Sequence, residues 1–185
     1  MINTIALPMT LEIFLSSPET QPASEFINGS IIQKPQPQGK HSLIQTTFCE
    51  QVNQAAKSQK IACAFPELRC VFGGDAIVPE VAVFRWERIP RNLSGQVADR
   101  FELPPDWAVE ILSPDQSHNK VLEKLLLCSR HGTELGWLID PSDESILIVL
   151  PEQRVQLLRG SSVLPVLSHL PLDLTVKQVF DWLTL

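Results

Sequence analysis

Two acidic residues sit in otherwise apolar stretches: Glu80 in AIVPEVAVF and Glu110 in WAVEIL. A carboxylate inside an apolar strand is costly unless a metal, a cation or water pairs with it. Each has an alanine two places away on the same strand face, Ala82 and Ala108, and a small neighbour leaves room beside an acid. Lys124 follows Glu110 by about four helical turns of sequence. Carboxylates with a nearby lysine suit a hard divalent cation, because Mg²⁺ takes oxygen ligands and retains several waters. Such an ion can activate water and stabilise charge on a phosphate undergoing in-line displacement. A neighbouring ammonium can orient the water or offset the developing charge. Spacing alone leaves a second reading open, in which Glu110 faces solvent on a half-covered sheet and Lys124 is a solvated surface lysine.

The elements that must position these residues are legible in turn. Asp106–Pro141 reads as a strand, a Ser113-Pro114 stop, a helix over about 115–131 and a second strand, LGWLID. In the first strand Trp107, Val109 and Ile111 share one face, and Ala108, Glu110 and Leu112 the other. Asp115 or Ser117 caps the helix. Its apolar face is Val121, Leu122, Leu125, Leu126 and Cys128, with Lys124 at the border, and Gly132 ends it. Upstream, LEIFLS is a short helix ended by Ser17-Pro18. Asn28-Gly29 between two apolar-bearing runs marks a hairpin, with Glu25 in its first arm. Gly39–Ser58 is an amphipathic helix with a core stripe of Ile44, Phe48, Val52, Ala55 and Ala56 and with His41 in its first turn. Two or three strands fill 61–84, the last being AIVPEVAVF, with Gly73-Gly74-Asp75 as the turn before it. Residues 85–103 read as an irregular and mobile surface loop. SILIVL and RVQLL form a hairpin joined near Pro151-Glu152, and a helix over 175–183 closes the chain with Val176, Val179, Phe180 and Leu183 inward.

Composition sets the frame. A length of 185 residues suits one domain, 1–185, with a sizeable core. A net charge of -6 argues against a basic nucleic-acid coat, yet a carboxylate cluster that holds metal adds negative charge which the ion cancels. The four cysteines form no CxxC pair, which disfavours a zinc ribbon and points to free thiols in a reducing cytoplasm. The Met1 segment shows no basic leader, and no apolar run approaches the ~20 residues that span a bilayer, so neither secretion nor membrane insertion is expected.

The string VEILSP, then a lysine, then G-x-x-x-x-W-L-I-D-P resembles the Uma family of restriction-endonuclease-like proteins, common in bacteria and abundant in cyanobacteria. EFINGSII resembles that family's glutamate-bearing hairpin, Lys40-His41 its histidine position, and VPEVAVF its second-strand acid motif. The resemblance covers nearly the whole chain. It implies an α/β (α+β) fold of the PD-(D/E)XK nuclease type: a restriction-endonuclease-like mixed β-sheet core flanked by helices, with extra β-hairpins. It also implies an Mg²⁺- or Mn²⁺-dependent DNA endonuclease, with nucleic acid as partner and a homodimer compatible with cutting two strands. Carried over by position, Glu80 and Glu110 are catalytic metal ligands, Lys124 is the catalytic lysine moved onto the helix, and Glu25 and His41 are auxiliary. Pro105-Asp106 imitates the named motif but lies on the same strand as Glu110, too close to serve as the partner-strand acid. Three departures stand out: Glu80 replaces the usual aspartate, Cys128 a usual tyrosine, and Leu135-Gly136 the usual Glu-Tyr. The longer Glu80 reaches about 1.5 Å further. A catalytically degenerate domain that binds nucleic acid or a protein partner is the alternative.

Overall fold

The computed structural model describes residues 9–114 and 116–185. The Met1 segment and the suggested cap Asp115 therefore lie outside the described residues. In chain order the elements are α1 (Leu11–Ser16), β1 (Ser24–Ile27), β2 (Ser30–Gln33), α2 (Gly39–Ala56), β3 (Ala62–Pro66), β4 (Cys70–Phe72), β5 (Asp75–Ile77), β6 (Val81–Arg85), β7 (Trp107–Ile111), α3 (His118–Arg130), β8 (Leu135–Asp140), β9 (Ser145–Leu150), β10 (Arg154–Arg159) and α4 (Val176–Asp181). Six strands form the main sheet in the order β10-β9-β8-β7-β6-β3. Only β7 and β8 run parallel there, as strands joined through the helical crossover α3 must. Four strands form a smaller sheet in the order β2-β1-β5-β4. Among the described residues no helix is long and apolar enough to cross a membrane.

Alternation along β7 divides the core. Trp107, Val109 and Ile111 pack with Ile44, Phe48 and Val52 of α2, and α4 adds Val176 and Val179 to that layer. Phe48 sits edge-on between Trp107 and Trp137, with ring centroids 5.0 and 5.6 Å away. On the other face Ala108, Leu138 and Val149 meet Leu125 and Cys128 of α3. Cys128 is fully buried, and at Gly136 an added Cβ would lie 3.2 Å from the Val149 Cβ, so the tyrosines expected at the family's positions are replaced by small residues in a tight layer.

The structure corrects several expectations. AIVPEVAVF is not one strand: it breaks after Ile77 and resumes at Val81, with β5 in the small sheet and β6 in the large one. Pro79 cannot donate to a ladder, so the chain changes sheets there and Glu80 sits in the break rather than on a strand. Asp75 belongs to β5, and its carboxylate accepts from the Asn28 backbone N–H at 2.7 Å, tying one hairpin turn to the next strand. The Asn28-Gly29 turn has both residues at positive φ, 50° and 76°, as a two-residue hairpin requires. Residues 85–103 are held down: Ile89 and Phe101 are buried, and Phe101 bridges to Cys70. The helix after Ser113 begins at His118, with Ser117 at its cap position.

Candidate active site

Seven polar side chains meet where the small sheet, the start of α2, β7 and α3 come together. Hairpin β1–β2 contributes Glu25 and, one residue past β2, Lys34. The first two turns of α2 supply His41 and Gln45. Glu80 comes from the break before β6, Glu110 from β7 and Lys124 from α3. Glu25, Lys34, His41, Glu80, Glu110 and Lys124 are all buried. Lys124, which spacing alone allowed as a solvated residue, is only 6 % exposed, and so is His41.

The cluster has two halves. In one, Lys124 Nζ lies 2.8 Å from Glu25 Oε1 and 2.9 Å from Glu110 Oε1. It hydrogen-bonds to Glu25. Its contact with Glu110 is an ion pair, and that buried oxygen meets no partner besides the ammonium. In the other half Glu80 Oε1 lies 2.7 Å from Lys34 Nζ and 3.3 Å from His41 Nε2, while Gln45 Nε2 donates to Glu80 Oε2 at 3.2 Å. The structure thus brings Glu25, Glu110 and Lys124 into direct contact and sets Glu80 beside them with partners of its own.

The same side chains stitch the strand break. Val78 N–H donates to Glu25 Oε1 at 2.7 Å, and Lys34 Nζ donates to the Val78 carbonyl at 3.0 Å. A buried peptide that has lost its strand neighbours is satisfied by two ionic groups instead.

Burial and charge act unequally on the acids. Burial would raise the Glu80 carboxyl, but His41 and the Lys34 ammonium outweigh it and hold it at about 2. Burial lifts Glu110 to about 7: Lys124 and Lys34 pull it down, while Glu25 and Glu80 push it up. Three carboxylates share two ammoniums, and Glu110 is the one left short. Burial would lower Lys124, but Glu110 and Glu25 more than compensate and hold it protonated, above its ordinary range. Lys124 is therefore a fixed cation and not a proton acceptor.

The donor set is hard oxygen, and three carboxylates outnumber two ammoniums, which fits a divalent cation. Among the described residues no three His, Cys, Asp or Glu side chains form a ready cage, so the protein would supply few ligands and water the rest. Asp106 is buried elsewhere, accepting from the Arg85 backbone N–H at 2.7 Å and from Arg88 at 2.5 Å, so it plays no part in the cluster.

Lys34 and Gln45 escaped the sequence reading. One signal for Lys34 was present. Glu25 pairs with Ile32 across the hairpin, so Lys34, two residues on, projects to the same face as Glu25. Nothing in the sequence singled out Gln45.

A family model described as "Uma2: Putative restriction endonuclease" matches residues 11–179. A crystal structure of a putative nuclease belonging to DUF820 from Anabaena variabilis superposes with a TM-score of 0.93 at 49% sequence identity, covering 95% of this chain and 99% of that one. No curated protein matches the chain.

Proposed function

Since the chain belongs to the Uma2 family of restriction-endonuclease-like proteins, we propose that it hydrolyses phosphodiester bonds of DNA with a bound divalent cation, Mg²⁺ or Mn²⁺. The observation that carries this reading is the buried cluster of three carboxylates and two lysines. Glu80 and Glu110 would hold the ion, with Glu25 as auxiliary ligand. When bound, it would supply Lewis-acid stabilisation of the phosphate and a more acidic water. Lys124, fixed as a cation between Glu25 and Glu110, would offset the charge that builds on the phosphate as water attacks phosphorus and the P–O bond to the leaving oxygen breaks. Lys34 and His41 would hold Glu80 ionised, and Gln45 would hold it oriented. A homodimer would present two such sites to a duplex; sedimentation velocity measures whether one forms.

Cleavage of plasmid and single-stranded DNA with Mg²⁺ or Mn²⁺ tests the reading. Glu110→Ala and Lys124→Ala are expected to lower the rate about a hundredfold or more. Cleavage untouched by Glu110→Ala would overturn the assignment. Salt-dependent DNA affinity without turnover would instead favour a binding domain.

A further inference from the structure

β10 forms an open edge of the main sheet. It pairs with β9 through six consecutive partners, with no bulge and no proline. Among the described residues, no backbone–backbone hydrogen bond outside that ladder reaches residues 155–158. An edge strand with its outer N–H and C=O groups free is a template for another strand unless charge, proline or a bulge blunts it. Here charge stands only at the two ends, Arg154 and Arg159. A second observation concerns the face. Val155 and Leu157 pair with Val149 and Leu147 across the hairpin, and those two join the apolar layer under α3. The layer therefore continues past α3 onto β10, where Val155 and Leu157 are 47 % and 48 % exposed. Geometry selects the occupant. When a strand pairs antiparallel with its own copy about a two-fold axis through the sheet, every residue keeps its face, so the axis must pass at one residue. Centred on Val155, the axis sets Leu157 against Gln153; centred on Leu157, it sets Val155 against Arg159. Centred on Gln156, it sets Val155 against Leu157 of the second copy, twice over, and Arg154 against Leu158. Apolar side chains directly opposite each other stabilise a strand pair. That register also sets no arginine opposite another and brings the Glu152 turn of each copy alongside Arg159 of the other.

We propose that β10 is a homodimerisation strand: it pairs antiparallel with β10 of a second copy about a two-fold axis at Gln156 and joins two six-stranded sheets into one. The inference stands on the sheet edge and does not depend on the nuclease reading. One short strand pair with its flanking side chains lies at the small end of interface sizes, so the dimer is expected to form at about micromolar concentration and to part on dilution.

The test uses the whole chain. Sedimentation velocity over a dilution series is expected to show a dimer at high concentration and a monomer at low. Leu157→Lys, at a half-exposed position, is expected to weaken the dimer about tenfold or more, because a two-fold interface carries each substitution twice. A cross-link reads the register without relying on that variant. Gln156→Cys is expected to give a disulfide-linked dimer on mild oxidation, since directly opposed residues have Cα atoms about 4.5 or 5.5 Å apart. Arg154→Cys would lie four residues along the ladder from its counterpart, roughly 14 Å, and is expected to stay unlinked. A monomer at every concentration would overturn the second copy as occupant of this edge and leave the edge to a different chain. A dimer of wild-type affinity in Leu157→Lys would overturn β10 as its interface. Linkage at position 154 rather than 156 would overturn the register.

Discussion

Glu110 governs how the cluster responds to pH. Its carboxyl, lifted to about 7 when folded, binds its proton more tightly than in the unfolded chain. It therefore contributes stability that is fully present below about pH 4.3 and lost as pH rises through 7, on the order of 3 kcal/mol. Glu80 acts in the opposite sense. Held at about 2, it contributes stability above its unfolded value that disappears as pH falls toward 2. Glu110→Gln keeps a neutral side chain of similar shape, so its melting temperature relative to wild type is expected to climb from pH 5 to pH 8. A difference that stays level across that range refutes the account. Lys34→Ala strips Glu80 of its ammonium and is expected to cost about 3 kcal/mol in urea unfolding, with part recovered by adding Glu80→Gln. The residue types were legible: Glu25, Glu80, Glu110 and Lys124 were all named from sequence. Their burial was not, because a lysine at the border of a helical face becomes buried only when acids from other elements arrive to meet it, as Glu25 and Glu110 do at Lys124.

At the scale of elements, periodic segments and hairpins marked by turn residues read well, and the stretch interrupted by Pro79 did not. The α2 stripe and the β7 alternation appear where periodicity put them, because each buries large side chains against a layer with the same period. Phe48→Ala is expected to destabilise by about 3–5 kcal/mol in chemical denaturation, since the ring is enclosed by two tryptophans. AIVPEVAVF misled because local alternation carries no record of which sheet a strand joins. β5 pairs with Phe26 of β1, whereas β6 pairs with β3 and β7. Proline at the junction was the one available hint. The buried face of α3 also includes Leu127, which packs in the outer cluster beyond the stripe that the helix's own periodicity marks.

For the molecule as a whole, two sheets meet at one short peptide segment, and the charged cluster is also the joint. Glu25 and Lys34 hold the two hydrogen-bonding groups of Val78 as a neighbouring strand would. Each substitution of Glu25 therefore has two separable effects. Glu25→Gln retains an oxygen for the Val78 N–H but loses charge; Glu25→Ala loses both. Hydrogen–deuterium exchange at the Val78 amide is expected to stay slow in the first and to quicken in the second, while both lose cleavage. Equal protection in the two variants would show that the carboxylate does not secure the joint. That single amide thus serves as an internal gauge: whatever ion or strand pulls Glu25 aside announces itself there, in a spectrum, before any product is made.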